Sequence, residues 1–331
     1  MTMNNSKSPH GLKPLEDIVT LVITSSYIKP KPVSLGIFAP PEYGKTEVLL
    51  QFAGCKGVKI ISDVTSFGLS RFILPEIAMK RVRCIIFPDF SRIFCRSPKV
   101  VDEVLSLLNV IIEEGISSIY TYNIQFDASL DNIKRIKCGC ILACPEELIK
   151  RREERLKRYG FWSRILPFYI EYTHEDLLRA HEDVKEEREV FRQIELKLPD
   201  EEIEIKLPKE EADKLDPIVY AYKDAIGSVT GLRLRWYLQQ LAKANAWIND
   251  RDVVIEEDIR KIISFTPFFF NPIKGDECVY RILLSLPAKS EDIVRELSGL
   301  YSRRTIYDRL RKLKEYGVIV ETEKGWDLRL K

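Results

Sequence analysis

The chain has 331 residues, of which 45% are hydrophobic and 31% charged, and its formal net charge is +2. That length provides for two or three domains with sizeable cores, and the balanced charge excludes nucleic-acid binding by a global field, leaving only local basic patches. Its 7 cysteines lack disulfide-type regularity, and no apolar stretch is long enough to span a membrane, so a reducing cytoplasmic setting is expected.

Residues 1–11 are polar and are expected to form a disordered tail without a secretory leader. Leu15 to Ile28 carries apolar residues at helical spacing, and Lys29-Pro-Lys-Pro32 ends that helix. Val33 to Phe38 reads as a buried strand and Glu47 to Phe52 as a helix. A second strand runs from Val58 to Ser62 and ends at Asp63, and a helix follows around Phe72 to Lys80. The third strand, Val82 to Phe87, is apolar throughout, as a parallel strand buried on both faces should be, and ends in Pro88-Asp89. Lys99 to Glu114 is an amphipathic helix stopped by Gly115.

Ser117 to Phe126 has β character and, with a turn at Asp127 to Asp131, predicts a hairpin whose return arm becomes the fourth core strand, Cys138 to Ala143. Pro145 to Tyr159 is a charged helix, and Phe168 to Tyr172 is the fifth strand. Strands alternating with helices predict an α/β fold with a five-stranded parallel sheet. After a helix from Thr173 to Gln193, the repeat Ile194-Glu-Leu-Lys-Leu-Pro199 and Ile203-Glu-Ile-Lys-Leu-Pro208 suggests a surface hairpin. Ala212 to Ile263 is helical with breaks near Gly227 and Asp250, and Thr266 to Pro272 reads as a linker that packs on something. The last segment predicts three helices, Glu277 to Leu286, Glu291 to Leu297 and Arg303 to Tyr316, the later two capped by Ser290 and Ser302. A hairpin of Val318 to Glu321 with Trp326 to Leu330 follows, which together is the winged-helix arrangement. The expected domains are an α/β core over 12–180, a helical lid with a β-hairpin insertion over 181–272, and a winged helix over 273–331.

The stretch that organises the chain lies between the first strand and its helix: Ala39, Pro40, Pro41, Glu42, Tyr43, Gly44, Lys45 and Thr46. It fits the phosphate-binding loop pattern, with Ala39 where Gly is commoner, in the strand–loop–helix context that the pattern requires. Backbone N–H groups there point at an anion, Gly44 permits close approach, Lys45 supplies charge for the β/γ-phosphates, and the Thr46 hydroxyl ligates Mg²⁺. Asp89, at the end of the third strand, is the natural second carrier of the metal. The residue after it is Phe90 rather than a carboxylate, so the base that polarises water must be sought elsewhere, with Asp63 the first candidate and Glu42 the second. Arg164, in Ser163-Arg164 before the fifth strand, is placed to neutralise phosphoryl charge, and Arg233, or else Arg235, to reach the γ-phosphate from the helical lid.

In this order the chain resembles AAA+ ATPases, most of all minichromosome-maintenance helicases, and in size and layout archaeal origin-recognition initiators. The likeness rests on the phosphate loop, Asp89, the hairpin, Phe161-Trp-Ser-Arg-Ile-Leu166, and the helix from Arg233 to Ala246 with Asn249-Asp-Arg-Asp-Val-Val-Ile-Glu-Glu-Asp258. It implies ATP and Mg²⁺ as cofactors, ATP bound between subunits of a homo-oligomer with Arg164 acting in trans, and ATP-driven work on DNA. It also implies a polar sensor where the fourth strand ends in Cys144-Pro145, with Asn123 as the fallback. The missing glutamate and this cysteine favour the alternative of a slowly hydrolysing nucleotide switch or scaffold, and a signalling or defence ATPase is a third reading.

Two basic groups are candidates for DNA. Lys134, Arg135 and Lys137 lie on the hairpin that the resemblance places in a central pore, and would contact phosphates without reading sequence; a solvated β-arm is the plain alternative. Arg303, Arg304, Arg311 and Lys312 surround the apolar stripe Ile306, Leu310, Leu313, with Lys324 at the wing tip. Asp308 and Glu315 dilute this patch, and a protein partner is the alternative there. Cys138, Cys140 and Cys144 read as small buried strand residues rather than metal ligands.

Overall fold

The computed structural model describes residues 11–115, 118–121, 124–127, 137–186, 192–226, 230–270 and 276–330. They divide into two compact units, one of Met1–Ile165 with Ile170–Ile203, the other of Leu166–Tyr169 with Glu204–Lys331.

The first unit opens with α1 (Lys13–Ser25), which buries Ile18, Val19 and Val22 completely. Then come β1 (Leu35–Ala39), α2 (Lys45–Leu50), β2 (Val58–Ile60), α3 (Ser66–Gly68), a π-helical segment (Leu69–Ile73), α4 (Leu74–Ala78) and β3 (Cys84–Phe87). They are followed by α5 (Ser91–Phe94), α6 (Pro98–Asn109), a second π-helical segment (Val110–Glu114), β4 (Ser118–Thr121), β5 (Ile124–Asp127), β6 (Gly139–Pro145), α7 (Glu146–Arg158) and α8 (His174–Lys185), with β7 (Leu166–Tyr169), which is grouped with the second unit, between the last two in sequence. The main sheet is five-stranded and parallel, in the order β2-β3-β6-β1-β7. Its register sets Phe38 beside Cys144 and Phe87 beside Leu142. All residues of β1 and β3 are buried, as the unbroken apolar runs require, and each large buried side chain contributes about 1.5–3 kcal/mol of transfer free energy. From β1 the chain crosses to β2 at the far edge, fills back through β3 and β6, and then passes to the other side of β1. The carboxyl end of β1 is therefore a topological switch point, where open α/β sheets hold their ligands.

The second unit holds α9 (Lys209–Asp213), α10 (Asp216–Ile226), α11 (Leu232–Ile248), α12 (Glu256–Ile263) and α13 (Thr266–Phe269). It continues with α14 (Glu277–Leu284), α15 (Ser290–Leu297), α16 (Arg303–Tyr316), β8 (Ile319–Thr322) and β9 (Gly325–Leu328). Asp258, fully buried, ties the turn before α12 together by accepting from Ile255 N, Asn245 Nδ2 and Arg251 Nη2 at 3.0, 2.7 and 2.6 Å. The segment expected to pack on something does so on Phe168, whose ring lies 4.9 Å from Phe268 and 6.2 Å from Phe265 and Phe269. Three helices and a two-stranded hairpin end the chain as expected, and Ser302 Oγ caps α16 by accepting from Thr305 N at 3.1 Å. Ser290 does not cap α15: it is the first helical residue, and its hydroxyl accepts from Trp326 Nε1 at 2.7 Å.

Two expectations are corrected. The sequence predicts hairpin arms over 117–126 and 133–144, but β4 and β5 pair with each other inside the first arm, with Thr121 opposite Ile124. β6, the expected fourth core strand, does join the main sheet, between β3 and β1, where its apolar run is buried on both faces. The repeat also does not pair with itself. Ile203 bridges Ile28 and Lys206 bridges Val253, while Ile194 N donates to the Gln51 carbonyl. Its alternation of apolar and charged residues is satisfied by lying along other segments of chain. The tail over residues 1–10 falls outside the described residues. No helix among the described residues is long and apolar enough to cross a membrane.

Candidate nucleotide site and basic helix

The loop expected to bind phosphate sits at the switch point, between β1 and α2. Two of its residues take positive φ, Glu42 at 66° and Gly44 at 63°, the latter at no steric cost. Gly44 is the residue from which α2 starts. Lys45 is only 8% exposed, and its ammonium is folded onto the loop, donating to the Ala39 and Pro40 carbonyls at 3.0 and 2.5 Å. Burial pulls its pKa down to about 8, partly offset by the nearby Cys144 and Asp89. Tyr43 stacks on Tyr172 with ring centroids 4.8 Å apart.

Thr46 reaches out of the loop. Its hydroxyl donates to the Pro88 carbonyl at 3.2 Å, which brings it beside Asp89 although β6 lies between β1 and β3. Asp89 Oδ1 accepts from Ser91 N at 3.0 Å and from the Ser91 hydroxyl, starting the short helix α5. Oδ2 faces Arg92, whose Nε is 3.7 Å away. Cys144, at the end of β6, is buried in the same neighbourhood, and burial pushes its thiol up to about 12, with Asp89 adding to the shift and Lys45 opposing it. A neutral thiol there is a weak donor, in the position where a polar sensor is expected. Asn123 lies outside the described residues.

Phe90, the residue after Asp89, where the resemblance leads to the expectation of a glutamate, is a core residue. It is fully buried, edge-on to Phe87 and Phe94 at 5.3 and 5.1 Å and stacked on Phe161 at 6.2 Å. Asp63 follows β2, the edge strand, which β3 and β6 separate from β1. There both its oxygens accept from Arg96, at 3.2 Å for Nε and closer for Nη2, and this pairing holds the carboxyl below its ordinary range. Arg164 is turned inward: Nη1 donates to the Gly160 carbonyl at 2.9 Å and Nη2 lies 3.5 Å from Glu114. Arg235 pairs with Asp216, and Arg233 is an exposed residue at the head of α11 in the second unit. The residues that sequence reasoning missed are Ser91, Arg92 and Arg96. The signal for the first was present, since a serine two places after an aspartate is a helix-start pattern.

Of the hairpin cations, Lys134 and Arg135 lie outside the described residues. Lys137 precedes β6, at the end of the strand opposite Cys144. On α16 the inward stripe Ile306, Leu310, Leu313 is buried as expected. The basic residues are more engaged than their spacing suggests. Arg303 lies over the Tyr307 ring at 5.5 Å. Asp308 braces Arg304 at 4.0 Å and Arg311 at 3.4 Å, and Glu315 is 3.8 Å from Arg311. Lys312 does not share that outward face but points to Asp224 of α10 at 3.7 Å. Lys324, in the turn between β8 and β9, is exposed.

No protein-family model matches the chain, and no curated protein matches it.

Proposed function

We propose that the first unit binds Mg²⁺-ATP at its phosphate loop and serves as a slowly hydrolysing, nucleotide-dependent switch whose C-terminal winged-helix segment docks on DNA. The observation that carries the nucleotide part is the Thr46–Pro88 hydrogen bond, which sets the loop hydroxyl beside Asp89 at the switch point of a parallel sheet. Gly44, Lys45 and the loop N–H groups would hold the phosphates, and Thr46 and Asp89 the metal, which takes its other ligands from phosphate oxygens and water. The bound nucleotide supplies a charged, two-state ligand, and the chain's own residues bind and orient it. Lys45 keeps its proton near neutrality and leaves the Ala39 and Pro40 carbonyls for phosphate oxygens.

Slow hydrolysis is favoured over a motor by the engagements of the residues that were expected to complete the site. Phe90 is core, Asp63 is committed to Arg96, and Arg164 is committed to Gly160 and Glu114. A homo-oligomeric motor of the kind that the AAA+ and helicase resemblance implies would need Arg164 to exchange those partners for a neighbour's nucleotide. The DNA reading rests on Arg303, Arg304 and Arg311 along the outward side of α16 and Lys324 in the hairpin turn, a geometry suited to backbone contacts.

ATP binding and turnover of the wild type and of Lys45→Ala, each with and without duplex DNA, test this reading. Binding that Lys45→Ala abolishes, with turnover well below one per second, supports it. Binding equal in the two proteins removes the nucleotide site, and rapid DNA-stimulated turnover restores the motor.

A further inference from the structure

The basic groups of the first unit differ in how firmly they are held. Lys45 is bonded to two loop carbonyls, Arg96 grips Asp63 with two nitrogens, and Arg164 is bonded to Gly160 and paired with Glu114. Arg92 is held loosely. Its side chain is 61% exposed, and it is 3.7 Å from Asp89 Oδ2. Ser91 fixes the orientation of that carboxylate through Oδ1, so Oδ2 is the oxygen left to face a cation.

We propose that Arg92 is a phosphate-sensing residue in cis, resting on Asp89 as a stand-in for the metal and moving to the terminal phosphate of ATP when Mg²⁺ takes the carboxylate. The proposal rests on the nucleotide reading above. Three physical points support it. A guanidinium and a divalent cation cannot share one carboxylate oxygen without repulsion, so metal binding displaces Arg92. An exposed pair at that separation is weak, so displacement costs little. The guanidinium is planar and forked, and phosphate oxygens match it better than a single carboxylate oxygen does. Arg92 sits three residues beyond Asp89 on the turn of α5, within the reach of a long side chain from any phosphate that a metal on Asp89 touches. A metal on Asp89 would touch both the β- and γ-phosphates; the γ-phosphate is the one that ADP lacks, and a guanidinium that moves to it would distinguish ATP from ADP. It supplies, from within the chain, the cation that Arg164 does not present.

The test is equilibrium binding of fluorescent ATP and ADP analogues, with Mg²⁺ and with chelator, to wild type, Arg92→Ala, Arg92→Lys and Lys45→Ala. Arg92→Ala should weaken Mg²⁺-ATP about tenfold and Mg²⁺-ADP about twofold or less, with Arg92→Lys between it and the wild type. Without nucleotide, Arg92→Ala should bind Mn²⁺, used as a spectroscopic probe, at least as well as the wild type, because a competing cation is gone. Equal losses for ATP and ADP, or no loss while Lys45→Ala loses binding, overturn the role of Arg92 and leave the nucleotide site standing. A wild type that binds neither nucleotide overturns both.

Discussion

Replacing Phe90 with glutamate puts a carboxylate directly after Asp89, and the expected result is loss of stability with no gain in activity. The ring is fully buried among Phe87, Phe94 and Phe161 at 5.3, 5.1 and 6.2 Å. Removing it costs about 3–5 kcal/mol, as Phe90→Ala alone would show. Glutamate adds desolvation, which keeps its carboxyl neutral in the folded protein. The folded pKa then lies above the unfolded one, so Phe90→Glu is least destabilised near pH 4 and loses further stability as pH rises towards the folded value. At about 2–4 °C per kcal/mol for a domain of this size, the melting temperature should fall by about 6–20 °C. Thermal unfolding followed by circular dichroism at several pH values, with ATP turnover alongside, measures both effects. A Phe90→Glu protein that melts like the wild type and hydrolyses ATP faster would refute the placement of residue 90 in the core and, with it, the reason given for slow hydrolysis.

Lys45 must be protonated to meet phosphate, and burial has lowered its pKa to about 8. ATP affinity should therefore be full at pH 7 and decline towards pH 9, as a calorimetric titration would show; a flat profile would mean that Lys45 does not carry the contact. Asp63→Ala should keep ATP turnover within about twofold of wild type, because Asp63 answers to Arg96 rather than to the loop; a loss of a hundredfold would return it to the role of base. Arg303→Ala with Arg304→Ala should weaken DNA binding and reduce the slope of log affinity against log salt by about 0.9 for each phosphate that the variant no longer neutralises. Asp308→Asn should strengthen DNA binding, since that carboxylate braces Arg304 and Arg311; no change in either variant would indicate a protein partner for α16.

The strands and most helices were legible because unbroken apolar runs in an α/β order leave few other ways to bury themselves. The strands expected over Val82 to Phe87 and Cys138 to Ala143 are found as Cys84–Phe87 and Gly139–Pro145, within two residues at each end. The tight turn between β1 and α2 was legible because its pattern is local: glycine at a positive φ, then the lysine and threonine that start the helix. The misreadings concern pairings that local pattern does not determine. Nothing in Ile194 to Pro208 says that its alternating residues lie on Ile28 and Val253 instead of on each other. The commitments of Arg96, Arg164 and Lys312 were equally hidden. Asp63, Glu114 and Asp224 lie far away in sequence from the cations they hold, and a cation's spacing on its own element does not reveal whether it is occupied.

The cysteines, whose irregular spacing points to a reducing setting, acquire a practical meaning from their positions. Six of the 7 are buried, and burial raises the thiols of Cys55, Cys84, Cys138, Cys140, Cys144 and Cys278, which leaves them poor nucleophiles. Cys95 alone is exposed, and it follows directly on α5, three residues past Arg92. The unaltered protein thus offers one alkylation handle, sited beside the residue proposed to move, and a maleimide dye placed there would register nucleotide and metal arriving without any engineered cysteine.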